Sequence, residues 1–280
     1  MNTRRPIEAL LAISLLMPGM TLGQSETLRI GIIDFYGLRK ISAGRLADVL
    51  GLKVGDPIPA SASEATKFEK RLERVRGVAR ARLERMCCDA GKAILYVGIE
   101  EKGGPHFETR SRGIKGPAVA LPDEIVDTYR LFEDALEVAV RTGDAAEDVS
   151  QGHSLMANPE VRAIQERFLV LAVDHATILR DVLRHAPDGE QRAIAAWILG
   201  YAPNKNLVVE DLHQAIHDPF DEVRNNAVRS LRAIAVLAGR RAELGIRISP
   251  SWFIDMLNSI AFRAKTRLRV FESLWPEFRR

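Results

Sequence analysis

The stretch DPFDEVRNNAVRSL, residues 218–231, opens on a proline turn and then sets Val223, Ala227 and Leu231, with Ile234 beyond, on one helical face. The same register occurs earlier. Val161, Ile164, Gln165, Phe168 and Leu169 precede Gln191, Ile194, Ala195, Ile198 and Leu199 by thirty positions, and Val223, Asn226, Ala227, Ser230 and Leu231 follow thirty-two later. Arg162, Arg192 and Arg224 each take the second place of their helix, and Pro187 and Pro219 share one turn position. Between these helices lie partners, ATILRDVL (176–183) and VVEDLHQAI (208–216). Two helices per repeat of ~30–40 residues predict an α-solenoid, in which each hairpin buries its apolar stripe against its neighbours. A degenerate further copy is expected at Thr266, Arg267, Val270 and Leu274, after SWFIDMLNSI. From Asp123 onward the whole chain reads as helix, beginning with Ile125, Tyr129, Phe132, Leu136 and Ala139 at helical spacing and stopping at Gly143.

Through DPFDEVRNNAVRSL, and more weakly through APDGEQRAIAAWIL, residues 122–280 resemble HEAT repeats, particularly the short kind found in phycobilisome lyases. That resemblance implies an all-α solenoid that scaffolds other proteins. It specifies no activity, because function on such folds lies in the surface.

The chain ahead of the solenoid has a different grammar. TLRIGIIDFYGL (27–38) mixes β-branched and aromatic residues and ends in a glycine turn. Ser42 is placed to cap AGRLADVLGL, which Gly51 closes, and a second helix over about 64–76 turns Phe68, Leu72 and Val75 inward. VARARLERMCC and KAILYVGIEE then read as a hairpin, so residues 26–102 form a β-α-α-β-β α+β module. Gly37, Ile41-Ser42, Leu50-Gly51-Leu52, Gly55-Asp56, Gly77-Val78 and Glu100-Glu101 resemble the pattern of POTRA domains from the bacterial outer-membrane assembly and secretion machinery. The resemblance implies a periplasmic module whose sheet edge accepts a partner strand. No β-barrel sequence follows, so direct insertion of outer-membrane proteins is not implied. Residues 103–121, rich in Gly and Pro, read as a solvated linker carrying Arg110, Arg112 and Lys115.

Residues 1–23 read as a cleavable signal peptide: Arg4 and Arg5, the apolar ALLAISLLM, then small residues around Thr21 and Gly23. The apolar run is too short to span a bilayer, so no transmembrane segment is expected in the mature chain. Its removal takes the formal charge from +3 to +2. A near-balanced chain gives no case for a nucleic-acid partner. Two adjacent cysteines, Cys87 and Cys88, exclude a disulfide framework and are too few to hold zinc alone.

Candidate chemistry is sparse. His213 and His217 share a helix face as metal ligands can, but no acidic third ligand is evident. His153, between Ser150 and Ser154, lacks a nucleophile elbow, and turn or capping roles suit that loop better. Overlaying the two partner helices on Leu179/Leu212 and Leu183/Ile216 puts Arg180 beside His213 and Arg184 beside His217, an exposed cationic row suited to an acidic protein segment or anionic glycan. The expectation is therefore a periplasmic or secreted, non-enzymatic interaction scaffold without metal or cofactor, binding through Arg180, Arg184, His213 and His217 or through the sheet edge. Two alternatives stand beside it: an accessory factor in outer-membrane protein assembly or secretion, and an enzyme or metal-binding protein using His153 or the His213/His217 pair.

Overall fold

The computed structural model describes residues 28–89, 92–104, 106–109, 119–257 and 259–260. The expected signal peptide, the basic linker residues Arg110, Arg112 and Lys115, and the fourth repeat lie outside the described residues. The fold is mixed: a small sheet with two helices, then a mostly helical body.

In the first unit, β1 (Ile30–Tyr36), α1 (Ala43–Leu50), α2 (Ala62–Glu73), β2 (Val78–Asp89) and β3 (Lys92–Glu101) follow in order. The sheet runs β1-β3-β2, with β1 parallel and β2 antiparallel to the central β3. Ser42 accepts from the Arg45 amide to cap α1, and Gly51 at φ 71° closes it, a conformation that costs glycine nothing. Ile30, Leu46, Leu50, Leu72, Leu95 and Val97 make the core between sheet and helices. Cys87 and Cys88 fall within β2.

The turn after β1 is held by a carboxylate. Glu101, at the end of β3 and buried, accepts from the backbone amides of Arg39 (2.8 Å), Lys40 (2.9 Å) and Ile41 (2.9 Å). These three amides hold its carboxyl below the usual glutamate range, with the Lys40 charge a smaller contribution. Gly37, at φ 80°, lets the chain pass over the Ile99 carbonyl, which a Cβ there would meet at 2.2 Å.

The helical body consists of α3 (Asp123–Arg141), α4 (Pro159–Asp174), α5 (Ala176–His185), α6 (Gly189–Leu199), α7 (Lys205–Ala215), α8 (Asp221–Arg240) and α9 (Pro250–Leu257). Helix α6 packs between α4 and α8, and α5 against α7, so successive hairpins stack with their apolar stripes facing each other. From Ala193 to Leu199 every residue of α6 is buried.

The repeated arginines have a structural role. Each is the fourth residue of its helix, since the helices begin earlier than the apolar register, at Asn158, Asp188 and Phe220 caps. Arg192 donates to the carbonyls of Ala186 and Pro187 (2.9 Å each), Arg224 to those of Asp218 (2.7 Å) and Pro219 (2.9 Å), and Arg162 to that of Met156 (2.9 Å). A guanidinium thus satisfies the turn that precedes each of these helices, turns whose carbonyls have no helical partner. Arg192 also forms a two-point pair with Asp218 of the next turn, at 2.9 and 2.8 Å, with side chains 3% and 0% exposed.

Two expectations are corrected. The body is not helical throughout: β4 (Glu147–Asp148) and β5 (Leu155–Met156) form a short hairpin between α3 and α4. Two-residue strands lack a readable alternation, and this pair is fixed by a distant residue, Gln165, whose side chain accepts from the Met156 amide at 2.7 Å. The segment 103–121 is not wholly solvated either, since Phe107 and Leu121 are buried in the helical core. The two units also touch through Arg82, which reaches Asp221 at the start of α8 at 2.8 Å.

Removing one partner of a buried ion pair strands the other's charge, so Arg192→Ala should cost about 3–5 kcal/mol. Arg130→Ala, whose pair with Asp127 is exposed at 71% and 67%, should cost near zero. Urea unfolding of the full chain measures both; equal midpoints would refute the joint.

Candidate functional site

Among the described residues, three places carry convergent polar chemistry, and the largest of these three lies between α3, α6 and α8. There a groove of about 500 Å³ runs across the three helices, in the size range of binding clefts. Its floor is Val126 and Tyr129 from α3, Ala193 and Ile194 from α6, and Phe220 at the entry to α8. Phe220 sits on the backbone of Gly189, where a Cβ would meet its ring carbon at 2.6 Å, so the close approach of the two helix starts requires glycine.

The rim is acidic. Glu133, Asp188, Glu190 and Glu222 line it against one cation, Arg130. Asp188 accepts from the Glu190 amide at 2.8 Å as the cap of α6, and Glu190 and Glu222 stand in the first turns of α6 and α8, where the helix dipole favours negative charge. Glu133 has no such helix terminus. Partial burial, then the neighbouring Asp134 and Glu190 charges, push its carboxyl above the ordinary glutamate value. Asn226 fixes the inner wall by donating to the Ala193 carbonyl at 3.0 Å and the Tyr129 hydroxyl at 3.3 Å.

Of the residues predicted to bind, Arg180 and Arg184 lie on α5, His213 lies on α7 and His217 in the turn that follows α7, so the two histidines do not share a helix, and none of the four lines this groove. Arg180 and Arg184 do converge, but on each other's partner: their Nε atoms each lie 2.6 Å from an oxygen of Asp211, which is 4% exposed. Both arginines are therefore paired with a buried carboxylate, where the overlay has them open to a partner. His213 stacks flat on Trp252 of α9 at 3.7 Å. His217 stacks on Phe107 at 4.7 Å, with Nδ1 3.0 Å from the Glu108 carbonyl oxygen. The two imidazoles stay neighbours, 6.2 Å apart edge to face. Among the described residues, no group of three or more His, Cys, Asp or Glu side chains is arranged to hold a metal. Sequence reasoning passed over Asp211, and the overlay held its signal, since Leu179 on Leu212 puts Asp211 on the half-buried Ile178.

The third place is the β4–β5 hairpin. His153 lies 5.5 Å from the Tyr201 ring, and burial, helped by the Lys205 charge, pushes its imidazole down to about 4. Ser154 does not pair with it; the hydroxyl donates to Glu147, which also receives Arg229 (3.5 Å) and Arg232 (3.2 Å). Ser150 donates its amide to Asp148 in a turn, and Asn158 caps α4. Arg229 stands on the solvent side of α8 by sequence, yet its guanidinium lies 4.6 Å over the Trp197 ring. Lys205 is buried and donates to the Gly200 carbonyl at the end of α6 at 2.7 Å.

Burial pushes the Lys205 ammonium down to about 8. Between that value and its unfolded value near 10.4 the unfolded chain holds the extra proton, so stability should rise with pH across this window and level off above it. Lys205→Met should flatten that rise, as read from urea unfolding between about pH 7 and 11; an unchanged slope would place the lysine in water. Comparison with protein-family models, with curated proteins and with solved structures gives no match for this chain.

Proposed function

We propose that the protein is a non-enzymatic adaptor of the cell envelope that holds a basic segment of a partner protein in the α3/α6/α8 groove. The observation that carries this reading is an apolar floor rimmed by four carboxylates against one arginine. A partner with lysines or arginines flanking an apolar anchor complements it, the anchor supplying affinity and the charges supplying on-rate and register. The predicted α5/α7 row supports an acidic partner less well, because Asp211 already compensates both arginines and aromatic rings cover both histidines.

The resemblances in sequence supply the setting. A POTRA-like module ahead of a HEAT-like array, behind a signal-peptide-like start, suits a periplasmic or secreted protein that binds other proteins. Strand addition is the less favoured mode at β2. The Ala81 and Leu83 amides of that strand already donate to Glu73 (3.2 Å) and Glu69 (2.8 Å) of α2, so an incoming strand would have to displace two carboxylates. The reading as an accessory to outer-membrane protein assembly shares this surface and differs in the partner's identity.

Photo-cross-linking amino acids placed at Glu190 and at Arg184 separate the two faces in living cells. The expected result is one adduct from position 190, with a protein whose cross-linked peptide is basic, that is lost in Glu133→Lys/Glu222→Lys. In vitro, binding of that peptide should weaken with added salt. Adducts from position 184 alone would move docking to α5 and α7.

A further inference from the structure

The end of the sheet that carries Glu101 also gathers positive charge. Three stretches of chain meet there: the turn after β1 (37–41), the passage from α2 into β2 (74–80) and the end of β3 with the residues after it (100–104). Their backbones are tied together, because Glu101 takes the Arg39, Lys40 and Ile41 amides and the Lys102 amide donates to the Gly77 carbonyl at 2.8 Å. Gly37, Gly77 and Gly103 turn the chain at φ 80°, 101° and 75° and add no side chain of their own, so the long basic residues beside them supply the chemistry of this surface.

Those stretches carry six cations, Arg39, Lys40, Arg74, Arg76, Arg80 and Lys102, and all six are exposed. Among the described residues, none of these side chains has an ion-pair or hydrogen-bond partner. The acids beside them are Glu73, Glu100 and Glu101, which leaves a positive excess of three. Each acid is already engaged: Glu73 by the Ala81 amide at 3.2 Å, Glu100 by His106 at 2.9 Å and Glu101 by its three amides. The helical body treats its cations differently, since Arg180, Arg184 and Arg192 all meet a carboxylate there.

The form of the cluster selects the partner. A compact anion needs donors that converge on one point, as two guanidinium groups do on Asp211. Six long side chains in solvent, spread over three stretches of chain, suit an extended array of negative charge, where attraction requires proximity and no fixed geometry. In the envelope setting proposed above, that array is the headgroup layer of a bilayer. We propose that this end of the first unit is a docking surface for an anionic phospholipid bilayer, with Arg39, Lys40, Arg76 and Lys102 against the headgroup phosphates and Arg74 and Arg80 flanking them. The choice of a bilayer rests on the envelope reading, whereas neither the cluster nor its test involves the α3/α6/α8 groove.

The test is sedimentation of the full chain with vesicles of phosphatidylcholine, alone or mixed with phosphatidylglycerol. The wild type should bind the anionic vesicles more tightly, and the difference should shrink as salt is added. Each basic residue near an anionic surface is worth about fivefold in partitioning, so Arg39→Gln/Lys40→Gln/Arg76→Gln/Lys102→Gln should weaken binding by about a hundredfold or more. Exposed cations placed elsewhere, in Lys53→Gln/Lys67→Gln/Arg240→Gln/Arg247→Gln, make the same change in net charge and should weaken it by less than about tenfold. Both variants keep the wild-type N-terminus, so any membrane affinity of that segment cancels in the comparison. Equal losses in the two would mean that net charge alone binds, and the proposal would fall. It would fall too if phosphatidylglycerol made no difference, if polyglutamate retained the wild type where anionic vesicles did not, or if inorganic phosphate at matched ionic strength released it from the vesicles. Should the fourfold variant lose its fold by circular dichroism, Arg76→Gln/Lys102→Gln decides in its place, with an expected loss of about twentyfold.

Discussion

A guanidinium laid across the carbonyls of a proline turn is the joint on which the helical body depends. Arg192 ties the turn ahead of α6 to itself through Ala186 and Pro187, and reaches forward to Asp218 in the turn ahead of α8. Arg224 repeats the local half of that device on Asp218 and Pro219. Stacked hairpins bury apolar stripes that can slide past one another, and hydrophobic burial alone is non-directional. Five donors in a rigid fork make the register of one turn on the next specific. The side chains of α8 extend the same logic, with Asn226 and Ser230 donating to the Ala193 and Ala196 carbonyls of α6, both at 3.0 Å.

The register so established creates the groove. With Phe220 seated on Gly189, the starts of α6 and α8 come side by side, and the acidic first turn of each helix faces α3. Carboxylates that complement helix dipoles therefore become the rim of a concave surface. Their proposed second use, as a docking charge, follows from the juxtaposition and not from any single helix.

In the first unit the same economy governs edges. Glu69 and Glu73 close the outer side of β2, and Glu101 collects three amides of the turn after β1. The Ala81 and Leu83 amides, which would otherwise be open to another strand, are satisfied within the unit. The sheet is thus attached to the helical body through side chains such as Arg82, on Asp221, and through Phe107, on His217.

The sequence by itself determined the helical hairpins, their thirty-residue period, the order of strands and helices in the first unit, and the caps at Ser42 and Gly51. Those features are legible because apolar spacing and cap chemistry act within a few residues. The β4–β5 hairpin escaped notice because its two-residue strands are held by Gln165 and not by their own pattern. The polarity of the groove and of the α5 surface was decided by the tertiary structure. Arg180 and Arg184 read as an open cationic row until α7 places Asp211 between them, while Glu133, Glu190 and Glu222 share a rim only once α3, α6 and α8 meet. Hydrophobic periodicity is written along one helix, whereas a charge takes its meaning from whichever side chains converge on it from tens of residues away.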